Sequence, residues 1–341
     1  MKRAGILCVA LVVCLGLAGG IHQLWRFSEV LRDPLNISEE HRWELVSGST
    51  LQGTLQQWRS QGWMEWPKTG DWLLKLALRW QPEWAQWQAG VYTLAPGQSP
   101  LEIAQDFRQG EVARTRLTLI EGQTLRELRA MLEQHPDLRD TSSKLSAKEL
   151  MVAVGYPERT AEGAFLPETY QVSVGTGSLA VLQIMADALD QAAYAAWSGR
   201  HPDLPLDSVQ ELIILASIIE KETAVAAERD QVAGVFARRL NKGMRLQTDP
   251  TVIYGLGDSF DGNITRKHLR TDTPWNTYTR HGLPLTPICM PSAAALQAAA
   301  QPAAGEALYF VADGRGGHVF SRTLEEHQRA VRAYIRYQRG S

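Results

Sequence analysis

Two carboxylates close an otherwise apolar run: Leu212-Ile213-Ile214-Leu215-Ala216-Ser217-Ile218-Ile219-Glu220-Lys221-Glu222-Thr223. A helix that is apolar nearly all round is a buried one. On that helix Glu220 and Glu222 stand about 200° apart and face different ways. Glu222 follows Ile219, Ile218 and Leu215 by three, four and seven residues, so it prolongs an apolar stripe into polar surroundings. A carboxyl group at the end of such a stripe is partly desolvated, which raises its pKa. A carboxylic acid still protonated near neutral pH suits general-acid chemistry. Spacing alone leaves a second role open for Glu222, a helix-end ion pair with Arg238 or Arg239. Glu220 has its own ordinary role, a salt bridge to Arg229.

Two further clusters carry hydrogen-bonding chemistry. Met244-Arg245-Leu246-Gln247-Thr248-Asp249-Pro250-Thr251 is dense in polar side chains and reads as an ordered loop closed by proline. Asn276-Thr277-Tyr278 is a polar-aromatic cluster. Other chemistries lack their signatures: HExxH, CxxC and the P-loop pattern do not occur, and the eight histidines are scattered. His318 and His327 read as parts of a hairpin and a helix rather than metal ligands. Gly257-Asp258-Ser259 has no nucleophile elbow around it and reads as a loop. No cofactor is expected.

The 341 residues carry a net charge of -2, which argues against bulk electrostatic binding of nucleic acid. Lys2 and Arg3 precede Ala4 to Ile21, eighteen residues without a charge. As a helix this run is about 27 Å long, enough for the hydrocarbon layer. The flanking charges place the amino end in the cytoplasm. A retained single-pass anchor is favoured over a cleaved signal peptide, because no clean A-x-A site closes the run. Either way the rest of the chain is exported. Cys8 and Cys14 fall inside the apolar run, so the exported part holds Cys289 and no internal disulfide.

The elements that must position these residues are set by periodicity. Residues 1–24 are the cytoplasmic tip and anchor, and 25–44 a connector. Within 45–135 a short motif recurs at Leu45–Leu51, Tyr92–Ser99 and Leu117–Thr124: a β-prone run, a glycine, then Ser or Thr opening a helix. Ser99 with Glu102 and Thr124 with Glu127 have capping-box spacing. Most of the eleven tryptophans lie between 25 and 87, where core packing and interface anchoring outweigh stacking on sugars. In 136–341, helices are expected at about 178–198, from Asp207 or Ser208 through Glu222, at about 226–241, and from Thr323 to about 337. Leu308–Asp313 and His318–Phe320 form a β-hairpin. The fold class is α+β.

Ala216 to Thr223, Glu228-Arg229-Asp230, Met244 to Tyr254, Asn276-Thr277-Tyr278 with Gly282-Leu283-Pro284, and Tyr309 to His318 with Phe320 together resemble the MltG (YceG-like) family of endolytic murein transglycosylases. The resemblance covers nearly the whole chain and is densest from Ser217 to Tyr254. Tyr92 to Ala104 is similar to the first half of a LysM unit. The resemblance implies a LysM-like small domain and an α+β catalytic domain that cuts nascent glycan strands at the outer face of the cytoplasmic membrane. Cutting beside the bilayer makes cell-wall synthases the expected partners. It implies Glu222 as the catalytic acid, with Gln247, Thr248, Asp249, Asn276 and Tyr278 lining the cleft. Glu220 joins them as a substrate-binding candidate. Leu283 to Ser292 departs from the family's PPGPI…NPG pattern, and Glu168 stands where Asp is common. A non-catalytic peptidoglycan-binding scaffold and a water-using muramidase are the competing readings.

Overall fold

The computed structural model describes residues 2–340, with side chains described from 13 to 339. The chain divides into two compact units, Met1–Thr115 with Gln171–Gly175, and Arg116–Tyr170 with Thr176–Ser341. The first opens on α1 (Lys2–Arg32). The anchor expected over 4–21 lies partly outside the residues whose side chains are described. Among the described residues no helix is long and apolar enough to cross a membrane.

Beyond α1 come β1 (His41–Leu45), α2 (Leu51–Ser60), α3 (Gly70–Trp80), β2 (Gly90–Leu94) and α4 (Pro100–Gln109). β1 and β2 pair antiparallel from His41↔Leu94 to Leu45↔Gly90. The helices cover this ribbon and bury Trp58, Tyr92, Ile103 and Phe107. Phe27, Leu35 and Ile37, from the stretch expected as a connector, join the same core. Pro82 starts a 3₁₀ turn beyond α3, so Trp84 and Trp87 do not continue its face. Trp58 is fully buried, whereas Trp72 and Trp80 are exposed.

The recurring motif is structural. β1 leads through Gly48 to α2, and β2 through Gly97 to α4. β3 (Arg114–Thr118) leads through Gly122 to α5 (Leu125–Gln134). The three glycines have φ of 88°, 89° and 76°, where a Cβ would be strained. Thr50, Ser99 and Thr124 then cap their helices by accepting backbone N–H bonds, the last two in full capping boxes.

The second unit holds α5, then α6 (Ala147–Ala153), α7 (Ser178–Ser198), α8 (Val209–Glu222), α9 (Arg229–Asn241), α10 (Asp249–Leu256), α11 (Arg266–Arg270) and α12 (Ala293–Ala300). Next come the hairpin of β5 (Tyr309–Ala312) and β6 (His318–Ser321) and the closing α13 (Leu324–Gly340). β3 pairs with β4 (Thr169–Ser173). Ser208 caps α8 through its side chain. Every residue of α8 from Leu212 to Ile219 is buried, with α7, α9 and α12 packed round it. One expectation is corrected: the 244–251 stretch is not all loop, because Asp249 opens α10. Pro250 sits in its first turn, where a missing N–H is harmless.

Ser217, in the middle of α8, is the polar exception in this apolar core. Its hydroxyl donates to Ile214 O at 2.7 Å and accepts from Ile288 N at 3.1 Å. Cys289 adds a thiol bond to Ser217 O. Together these pin the extended segment before α12 onto α8. Ser217→Ala leaves the buried Ile288 N–H without an acceptor, and we expect a loss of about 1–3 kcal/mol in denaturant unfolding. An unchanged midpoint would show that the segment is held by packing alone.

Candidate active site

α8 carries its apolar stripe to its last residue, and that residue is Glu222. The carboxyl sits in the wall of a cavity of about 450 Å³ within the second unit. Five effects act on its proton. Burial is the largest and raises the pKa; the neighbouring Asp249 charge raises it too, while the Thr248 hydrogen bond and the charges of His318 and Arg239 lower it. The balance lifts Glu222 from 4.5 to about 6. Its place at a helix C-terminus, the negative end of the dipole, further disfavours the carboxylate.

Neither ion pair that spacing left open for Glu222 is found among the described residues. Arg238 donates to the carbonyls of Ala307 and Ala303 at 2.7 and 2.9 Å. Arg239 is 7% exposed and donates to Leu308 O and Leu246 O at 2.7 and 2.6 Å. Arg239 reaches the cavity wall, but its hydrogen bonds go to backbone.

Behind Glu222 stands a chain of buried threonines. Thr248 Oγ1 donates to Glu222 Oε1. Thr248 N donates to Thr277 Oγ1 at 3.1 Å, that hydroxyl lies 2.9 Å from Thr251 Oγ1, and Thr251 Oγ1 donates to Thr248 O at 2.7 Å. Since Thr251 donates to a carbonyl, Thr277 must be the donor between the two hydroxyls. The chain fixes the orientation of Thr248 and, through it, that of Oε1. The proton of a neutral Glu222 therefore belongs on Oε2.

The other expected residues separate into two sets. Gln247, Asp249 and Tyr278 line the cavity with Glu222. Tyr278 donates to Asp249 Oδ1 at 2.5 Å. Burial first, then this bond, pushes the Tyr278 phenol pKa up. Gln247 has φ +50°, a left-handed backbone that costs a residue with a Cβ about 1–2 kcal/mol. Its N–H bonds Thr277 O at 3.2 Å.

Asn276 and Glu220 are not on that wall. Asn276 is 1% exposed; its amide donates to the carbonyls of His268, Leu269 and Thr271 and accepts from Tyr278 N. It shapes the loop that presents Tyr278. Glu220 faces another way round α8, as the 200° spacing requires. It accepts from Ser292 N at 2.9 Å and from Ser292 Oγ, which caps α12. It lines a separate cleft together with Glu168 and Arg229.

Sequence reasoning passed over three groups. Glu228 holds His318, with Nδ1 2.7 Å from Oε2 and the backbone N–H 3.0 Å from Oε1. Tyr309 and His327 complete the cavity wall from β5 and α13. Glu162 is a second carboxyl raised by burial, to about 7. It accepts from Leu125 N and Tyr254 OH and does not line the cavity of Glu222. Among the described residues no three His, Cys, Asp or Glu side chains converge as a metal site requires.

Residues 44–333 match the model of the YceG-like family. An endolytic murein transglycosylase of Bacillus subtilis (strain 168) is 31% identical over 265 residues, 73% of each chain. A protein of the same description from Streptococcus pneumoniae serotype 2 is 27% identical over 284 residues, which are 73% of this chain but only 51% of that one. A crystal structure of a YceG-like protein from Listeria monocytogenes superposes with a TM-score of 0.54 at 27% identity, covering 85% of this chain and 99% of that one. The chain therefore belongs to the YceG-like family.

Proposed function

We propose that this chain is a peptidoglycan lytic transglycosylase that cuts glycan strands internally, with Glu222 as its acid and then its base. One observation carries the reading: a carboxyl with no arginine partner among the described residues, raised to about pKa 6, opens on a cavity at the end of a buried helix. The family and its relatives described as endolytic murein transglycosylases support it.

The chemistry needs one such group. Glu222 Oε2–H protonates the glycosidic oxygen of a MurNAc–GlcNAc β-1,4 bond as the C1–O bond breaks. The resulting carboxylate then removes the C6 hydroxyl proton of the same MurNAc. That oxygen bonds C1, closes a 1,6-anhydro ring and returns the proton to Glu222. No water is consumed and the proton count balances. Thr248 bonds Oε1 in either protonation state, so the carboxyl keeps its aim between the two transfers. Gln247 and the Tyr278–Asp249 pair are placed to orient the sugar, and the Asp249 carboxylate stabilises oxocarbenium charge. Asp249 is also what favours the competing reading, a muramidase that activates water with a second carboxylate.

The site of action is the outer face of the cytoplasmic membrane, with the chain anchored by residues 4–21 and its catalytic unit periplasmic. The uncharged run and the preceding Lys2-Arg3 support this placement. A tether confines cutting to glycan made near the bilayer, limits strand elongation and makes cell-wall synthases natural partners. The strand–helix–helix–strand order of β1, α2, α3 and β2 supports a LysM-like small domain that holds glycan.

Glu222→Gln keeps the Thr248 bond and removes the proton. We expect anhydro-muropeptide release from purified sacculi, read by mass spectrometry, to fall by at least about 10²-fold while sacculus binding persists. Full activity in that variant, or reducing ends from the parent chain, refutes the mechanism. In the parent, single-turnover cleavage requires the protonated acid, so the rate declines as pH rises through about 6.

Stability gives a reading independent of activity. Folding favours neutral Glu222, so its contribution is fully present below pH 4.5 and is lost as pH rises through about 6. The rise from 4.5 to about 6 corresponds to about 2 kcal/mol. Glu222→Gln should match the parent in urea unfolding near pH 4 and exceed it by about that amount at pH 8. Equal stability at both pH values would mean the carboxyl is not desolvated.

A further inference from the structure

Part of the cavity wall beside Glu222 is built by α13 and β5. Leu324, His327 and Val331 are spaced three and four residues apart, so α13 turns one face of three side chains to the cavity. Tyr309, Phe310 and Val311 come from β5. The His327 ring stacks on Tyr309, with centroids 5.3 Å apart and planes 23° apart. The Arg239 guanidinium also lies over Tyr309, 5.1 Å from the ring centre.

His327 is unusual within this wall. Its Nδ1 is sealed from solvent and has no hydrogen-bond partner. Among the described residues no group bonds its other ring nitrogen. A sealed N–H without an acceptor is costlier than an unpaired lone pair, so the ring proton belongs on Nε2. His327 lines the cavity, and its one ring nitrogen that is not sealed then offers a single N–H. Burial, then the Arg239 charge, lowers the His327 pKa and keeps that donor neutral.

A neutral donor set among Leu324, Val331 and Val311 discriminates between ligand groups. The ring itself brings a carboxylate no countercharge, and the nearby Arg239 guanidinium is engaged with the Leu308 and Leu246 carbonyls. A hydroxyl would find an acceptor for nothing it donates among these apolar neighbours. An amide that carries a methyl group satisfies both features. We propose that His327 Nε2–H and these apolar side chains form the subsite for the 2-acetamido group of a sugar bound in the Glu222 cavity, the carbonyl accepting from Nε2 and the methyl lying on Leu324, Val331 and Val311. This rests on the proposed glycan substrate and makes His327 a specificity-determining residue that acts before the proton transfers.

The probes are a tetramer of N-acetylglucosamine and a tetramer of glucose, both uncharged and different only at C2. Their dissociation constants are measured with the full chain carrying Glu222→Gln, which removes turnover. We expect at least tenfold tighter binding of the acetylated tetramer. Adding His327→Leu should shrink that preference to threefold or less. Adding His327→Gln, whose amide nitrogen falls near the Nε2 position, should restore most of it. His327→Asn, which mimics the sealed Nδ1, should not, and this Gln–Asn pair decides the matter if the Leu variant does not fold. No preference in the Glu222→Gln chain, full preference in the Leu variant, or equal behaviour of Gln and Asn overturns the subsite. Anhydro-product formation by the parent chain is read in parallel. Its absence alongside a His327-dependent preference sinks the reaction and leaves the subsite; its presence with a preference indifferent to His327 does the reverse.

Discussion

The loss of water around one carboxyl is the constraint on which this site depends. An ion is costly to hold where solvent cannot reach it, so a half-buried glutamate keeps its proton unless a cation or donors compensate. α8 imposes that condition by geometry. Its buried stripe runs from Leu212 to Ile219, and the next position on the same face is Glu222. The helix cannot keep the stripe buried and leave Glu222 fully solvated. Core stability and acid strength are therefore set by the same helix, and a change that loosens α8 would alter both.

Compensation is present but limited. Arg239 could have formed a tight ion pair with Glu222, which would have fixed it as a carboxylate. Instead its guanidinium donates to Leu308 O, just before β5, and to Leu246 O, in the stretch that leads into α10. The charge still acts through space, and its effect on Glu222 is the smallest of the five. Asp249 pushes in the opposite direction, its charge raising the Glu222 pKa. Thus a backbone requirement on Arg239 and the neighbouring Asp249 charge together leave Glu222 between a free glutamate and a permanently neutral one.

Much of this was legible along the chain because periodic signals are local. The apolar run of α8, its extension to Glu222 and the glycine–hydroxyl punctuation ahead of α2, α4 and α5 all lie within a few residues of what they determine. The β5–β6 hairpin was visible for the same reason. The threonine chain was not, since Thr248, Thr251 and Thr277 meet through folding and a loop has no period to show which side chains turn inward. Asn276 and Tyr278 are two residues apart, yet one supports the loop and the other faces the cavity. The family resemblance implied the same role for both. The helical start at Asp249 had a signal in Pro250, but a proline can close a loop or open a helix, and the residues after it decide which. Here Val252 and Ile253 continue as a helix.

A second carboxylate in the cavity does not by itself make water the nucleophile. Asp249 accepts the Tyr278 hydroxyl on Oδ1, so one of its two oxygens is already engaged. The competition is then between solvent at about 55 M and a hydroxyl already attached to the cleaved sugar, whose effective molarity when well oriented reaches about 10⁵ M or more. Orientation decides the outcome, because a C6 hydroxyl turned away from C1 has no such advantage. Phe236, Leu246 and Phe310 give the cavity apolar walls. In the proposed mechanism the Thr248 bond would keep Glu222 in place between the two transfers. A fixed acid that becomes a fixed base, facing a sugar held in one pose, favours ring closure over hydrolysis even where a second carboxylate stands nearby.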